Sequence, residues 1–208
     1  MRANPVKEAL ARGEAVVGTM LGELTSAGAC RIVKEAGYDF VIFDTEHHAS
    51  GIETVARLLR SARDIGLQTY IRAPGFRGQW PARYLDLGAD GLIFPHVESG
   101  EQARAIVEQV KYAPDGKRGL ATDIAHDDYH AQPAAEFVKA ANAATLVAVQ
   151  IETAAALQAR EEIVSVPGVD AVFIGPNDLS LSLGIPGQLD SPEMVSAIEE
   201  IFAAADAA

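Results

Sequence analysis

The sequence predicts an α/β fold, a (β/α)8 barrel of parallel strands, and three observations predict it. Short apolar runs rich in Val, Ile and Phe alternate with helix-patterned stretches along the whole chain, the rhythm of βα units. The runs are apolar at nearly every residue rather than every second one, as parallel strands covered on both faces require. Polar residues gather where those runs end: Glu46 and His47, Arg72, His96, Gln150 and Glu152, Asn177 and Asp178. In a barrel those carboxyl ends converge on one mouth. In the alternative, an open doubly wound sheet, they would spread along an edge. No Gly-x-Gly-x-x-Gly follows the first run, which counts against a dinucleotide-binding sheet.

In order, the predicted strands are AVVGTML (15–21), DFVIFDTEH (39–47), QTYIRA (68–73), DGLIFPHV (90–97), KRGLATDI (117–124), TLVAVQIE (145–152) and DAVFIGPND (170–178). The fifth is the weakest of the seven, a short segment that could form a strand before the helix near Phe137. The helices between them carry start and stop signals. Ser50 and Glu53 stand at capping-box spacing and Gly66 ends that helix; Ser99 and Gln102 repeat the device; Ser191 caps a last helix with Pro192 at its first position. An eighth βα unit is not found, so residues 1–208 read as a single barrel domain incomplete at its carboxyl end.

Composition narrows the function. The 208 residues carry a net charge of −12 without any Lys/Arg cluster, so nucleic acid is excluded as a partner, since phosphate neutralisation needs a basic face. No run approaches the ~18 apolar residues of a membrane span. The amino-terminal stretch lacks the apolar core of a secretory signal. The single cysteine, Cys30, lies in a helical pattern and reads as a small core residue. Together these features fit the reducing cytoplasm.

Two carboxylates, Glu152 and Asp178, close successive strands. Side by side at a mouth they repel unless a cation lies between them, and oxygen donors without a cysteine or histidine cluster suit Mg2+ or Mn2+. The alternative role for each acid is a helix cap. Arg72 would point a fixed cation at the mouth, suited to a carboxylate or a developing enolate oxygen, or else pair with a nearby acid. His47 is the natural general base or acid. Asp44 and Glu46 flank it, and Asp86 could approach from the next unit; otherwise it is a structural histidine. His48 reads as its exposed neighbour. Gly175 and Pro176 form a turn whose later amides, from Asn177, can hold a carboxylate. Gln150 shares a side with Glu152 by strand alternation. The lysines stand at 7, 34, 111, 117 and 139, none at the end of a clear strand, which disfavours a Schiff-base aldolase.

DFVIFDTEH, YIRAP, YLDLGADGLIFPHVES, KYAPDGKRG, VAVQIET and VPGVDAVFIGPNDLSLSLGIPG, taken in that order, resemble the HpcH/HpaI family of metal-dependent (class II) pyruvate aldolases. Its members include the 4-hydroxy-2-oxoheptanedioate and 2-keto-3-deoxy sugar-acid aldolases. The resemblance runs from about residue 5 to the end. It implies a barrel of the phosphoenolpyruvate/pyruvate type and a homohexamer exchanging its last helix. It further implies Mg2+, Mn2+ or Co2+ held by Glu152 and Asp178, with no organic cofactor. Arg72 would bind the pyruvyl oxygen, and His47 with Asp86 would activate a proton-carrying water. Gln150 would sit beside the ligand, and Gly175, Pro176 and Asn177 would hold its carboxylate. The implied reaction is reversible cleavage of a 4-hydroxy-2-oxo acid to pyruvate, or hydroxypyruvate, and an aldehyde. Met20 replaces a tryptophan common in the family and alters the wall near the aldehyde tail. Two other readings share the barrel: a citrate-lyase-type acyl-CoA lyase, for which no basic CoA patch is found, and a non-catalytic binding subunit.

Overall fold

The computed structural model describes residues 2–208. Six strands form one wholly parallel sheet in chain order: β1 (Gly18–Leu21), β2 (Phe40–Asp44), β3 (Gln68–Arg72), β4 (Gly91–Phe94), β5 (Leu146–Ile151) and β6 (Ala171–Ile174). Ten helices accompany them: α1 (Pro5–Ala11), α2 (Ala27–Glu35), α3 (Ile52–Asp64), α4 (Trp80–Asp86), α5 (Gly100–Val110), α6 (Ala134–Ala144), α7 (Ala154–Gln158), α8 (Arg160–Val164), α9 (Pro176–Ser182) and α10 (Pro192–Ala207). The sheet is a partial barrel, an arc whose two edges are β1 and β6. Among the described residues no helix is long and apolar enough to cross a membrane.

The arc holds one strand fewer than the seven expected. Residues 117–124 form no strand. The reason is that β4 pairs directly with β5, Gly91 beside Leu146 and Phe94 beside Val149, so neither edge of β4 is free. The segment instead folds back on its own helix, Lys117 N–H donating to the Glu108 carbonyl and Arg118 N–H to that of Lys111. It ends in a single 3-10 turn at Ala125–Asp127. The caps at Ser99 and Ser191 form, each hydroxyl accepting an amide three residues on at 3.2 Å. Ser50 does not cap: α3 starts one residue later, on Gly51, without a side-chain bond.

Strand alternation divides the sheet into two apolar layers. On the outer face Val41, Phe43, Ile71, Leu92, Phe94, Val147, Val149 and Ile151 pack under the helices, meeting Leu58 and Leu59 of α3, Ile106 of α5 and Ile201 of α10. Cys30 joins this layer, with burial pushing its thiol up. Each fully buried Ile or Leu there contributes about 1.5–3 kcal/mol. On the inner face Ile42, Tyr70, Ile93, Leu146 and Ala148 enclose Val6 of α1, with Met20 and Phe173 at their border. The Asn4 side chain locks α1 in place. Its Oδ1 accepts from Lys7 N–H at 3.1 Å and from the Tyr70 hydroxyl at 2.9 Å. Its Nδ2 donates to the Asp90 and Ala144 carbonyls at 3.1 and 2.9 Å. The amino end of the arc is therefore stopped by α1 and the apolar side chains around Val6.

Lys111, just past α5, is buried and donates Nζ to the Asn142 and Thr145 carbonyls, both at 2.7 Å. Burial pulls its ammonium down to about 8. The folded state thus gives up its proton at a lower pH than the unfolded chain. Between about pH 8 and pH 10 the unfolded state holds more protons, and stability rises with pH by up to about 1.4 kcal/mol per unit. Urea unfolding across that range should show the rise in the wild type and a flatter profile in Lys111→Met.

Candidate active site

The inner-facing residues at the carboxyl end of the arc form one connected polar cluster. Asp44 ends β2 directly beside Arg72, which ends β3. The two side chains meet as a fork, Nε donating to Oδ1 at 2.8 Å and Nη2 to Oδ2 at 2.7 Å. His48 Nδ1 lies 2.7 Å from the same Oδ2. Burial opposes the charge on Asp44, but the bonds from Arg72 and His48 overcome it and hold the carboxyl down at about 2. Arg72 is 11% exposed and its Nη1 makes no bond within the chain. The sequence pattern placed His48 as an exposed bystander; it is instead a half-buried partner of Asp44, because the chain turns back over Gly22, where an added Cβ would strike the His48 ring.

The second half of the cluster centres on Glu152, immediately after β5 and 1% exposed. Its Oε2 accepts from the Gln150 amide, two residues earlier on the same side. Its Oε1 accepts the His96 backbone N–H at 2.7 Å and lies 3.1 Å from His96 Nδ1. The other ring nitrogen, Nε2, is 3.2 Å from Glu46 Oε1. Glu46 Oε2 stands 3.2 Å from Arg72 Nε, but that N–H is spent on Asp44. Burial pushes the Glu46 carboxyl up, with Arg72 and His47 pulling against it and Glu152 adding to the rise.

Two buried oxygens in this cluster, Glu46 Oε2 and Gln150 Oε1, have no hydrogen-bond donor. Buried acceptors of this kind call for water or a cation. Glu46, His96 and Glu152 each offer a ligand atom within 4.8 Å of the others, the one such His/Cys/Asp/Glu trio among the described residues. The donor set fits a divalent ion.

The remaining expected residues are placed less centrally. Asp178 is half-buried in the first turn of α9 and lies outside this trio. Gly175 precedes that helix, and Pro176 opens it with Asn177 exposed. A Cβ on Gly175 would lie 2.4 Å from Glu152 Oε2 and 2.8 Å from Gln150 Nε2, so only glycine fits. Gly175→Ala should cost about 1–3 kcal/mol through overpacking, read by urea unfolding, and should displace Glu152. His47 is 59% exposed and approaches Glu46 at 3.8 Å. It is not paired with Asp86 in this chain. Asp86, at the end of α4, receives Arg118 Nη2 at 2.6 Å and faces His126 Nδ1 at 3.7 Å. His96 was visible in the sequence as a polar residue at a strand end but carried no assigned role. Its φ of +56°, which turns the backbone amide and the ring to Glu152, has no sequence signature.

Residues 21–208 match the model of a family described as HpcH/HpaI aldolase/citrate lyase. A pyruvate aldolase of Rhizobium etli is 36% identical over 197 residues, covering 95% of this chain and 76% of the relative. A hydroxypyruvate/pyruvate aldolase of Roseovarius nubinhibens is 34% identical over 200 residues, covering 96% and 77%. The crystal structure of an HpcH/HpaI aldolase from Desulfitobacterium hafniense superposes with a TM-score of 0.93 at 37% identity, covering 97% of this chain and 78% of that one.

Proposed function

The chain belongs to the HpcH/HpaI aldolase/citrate lyase family, and from that premise we propose that it is a carbon–carbon lyase. It cleaves a 4-hydroxy-2-oxo acid reversibly to pyruvate, or hydroxypyruvate, and an aldehyde. The observation that carries the reading is a single mouth holding a braced arginine beside buried carboxylates with unpartnered oxygens. Relatives named as aldolases of these two oxo acids support the donor class.

Glu152 and Asp178 would hold a divalent ion (Mg2+, Mn2+ or Co2+), whose chemistry when bound is Lewis-acid polarisation of the 2-oxo group. The chain's own residues do the rest. Arg72, aimed by Asp44, presents Nη1 to the 2-oxo oxygen and stabilises the negative charge that develops there. The free amides at the start of α9, from Asn177 past the Gly175–Pro176 turn, bind the substrate carboxylate, with Gln150 alongside. His47, exposed at the rim, relays the proton: it leaves the C4 hydroxyl as the C3–C4 bond breaks, and the enolate is reprotonated at C3. Asp86 supports His47 only after a rearrangement or from a second copy, since within the chain it is engaged by Arg118. Homo-oligomers in the cytoplasm complete the reading, and light scattering checks the assembly.

The direct test follows exchange of pyruvate methyl protons with D2O. Mn2+ should support exchange by the wild type and EDTA should stop it. A folded, Mn2+-loaded protein that exchanges no protons overturns the proposal.

A further inference from the structure

Resting on the reading above, we propose that His96 is a protein ligand of the divalent ion. It binds through Nδ1 beside Glu152 while its Nε2–H donates to Glu46, and this makes the site prefer borderline ions such as Co2+ or Zn2+ over Mg2+.

The geometry comes from both ring nitrogens. Nδ1 is 3.1 Å from Glu152 Oε1 and Nε2 is 3.2 Å from Glu46 Oε1. Each ring nitrogen thus faces its own carboxylate, and His96, Glu46 and Glu152 are the one trio among the described residues whose ligand atoms lie within 4.8 Å of one another. Two ligand atoms each about 2.1 Å from one ion and at right angles are about 3.0 Å apart, close to the Nδ1–Oε1 separation. A histidine that ligates through one nitrogen and donates the other N–H to a carboxylate is the usual way a ligand ring is oriented. Glu46 supplies that acceptor with a side chain 9% exposed. Its second oxygen and that of Gln150 remain without donors.

The backbone is committed to the same end. His96 has φ +56°, a conformation uncommon for a residue with a side chain. It sends the amide to Glu152 at 2.7 Å and the ring between the two acids. An imidazole nitrogen in an otherwise oxygen-rich set shifts preference from Mg2+ toward softer ions.

The experiment uses the full chain stripped with EDTA and titrated by calorimetry with Co2+, Mn2+ and Mg2+. Proton NMR of the Co2+ form is recorded in H2O and D2O. The variants are His96→Asn and His96→Gly, both compatible with left-handed backbone and checked for folding by circular dichroism. The wild type should show a hyperfine-shifted exchangeable imidazole N–H that vanishes in D2O. Both variants should lose it and bind Co2+ about 10–100-fold more weakly, with Mg2+ affinity changed far less. Folded variants that keep the signal and the wild-type Co2+ affinity overturn the role of His96, while Mn2+-dependent exchange of pyruvate protons in those variants leaves the aldolase reading standing. A wild type that binds none of the three ions overturns both.

Discussion

Replacing Arg72 with alanine is expected to lower kcat for pyruvate-forming cleavage by about 10²–10³-fold, the usual cost of removing one fixed donor from a developing oxyanion. The size follows from the way the guanidinium is held. Nε and Nη2 are both taken by Asp44, and the side chain is nearly closed to solvent. The remaining Nη1 therefore arrives at the mouth already oriented. Lysine at this position should not restore the rate, because an ammonium cannot make the two-point fork. Arg72→Ala also strips Asp44 of its main partner and leaves a buried carboxylate with only His48 and the Glu46 backbone N–H, so it should destabilise the fold as well. Pairing it with Asp44→Asn separates the effects: the double variant should regain stability without regaining kcat. Steady-state cleavage of a 4-hydroxy-2-oxo acid beside urea unfolding reads both. An Arg72→Ala enzyme with an undiminished kcat removes the arginine from the mechanism.

Stripping divalent ions should reduce cleavage to background, and adding Mn2+ should restore it. Glu152→Gln should resist that rescue. The glutamine is nearly isosteric, yet it lowers the negative charge and gives the Gln150 amide and the His96 backbone N–H, both aimed at this side chain, a poorer acceptor. Calorimetry should show Mn2+ affinity lost in parallel with activity. Full activity in Glu152→Gln, or in the wild type under excess EDTA, would remove the ion from the mechanism.

Much of this arrangement was legible because strand alternation is a local rule. Once DFVIFD, QTYIR and LVAVQIE are read as strands, Asp44, Arg72, Gln150 and Glu152 fall on one side and the apolar residues between them on the other. Helix ends at Ser99 and Ser191 were likewise written in three-residue spacings. What the sequence concealed depends on neighbours distant along the chain. KRGLATDI has strand composition but no free edge to join, since β4 and β5 close on each other. Asp86 looked available to His47 until Arg118, from that same misread segment, took it. Of the two adjacent histidines, His48 turns inward to Asp44 and His47 outward, a difference that only the folded chain shows. His96 depends on a left-handed backbone that residue type barely signals.

The alternation of β5 has a further consequence. Leu146, Ala148, Gln150 and Glu152 occupy one set of rungs, and Val147, Val149 and Ile151 the other. The reactive row and the structural core are thus a single ladder read in two phases. A one-residue deletion just ahead of Val147 would swing both polar groups under the helices and three aliphatic side chains into the cup, destroying fold and chemistry together. This stretch of chain can therefore be retuned by exchanging side chains in place but does not tolerate a change in length, and libraries aimed at new substrates belong on the loops beyond it.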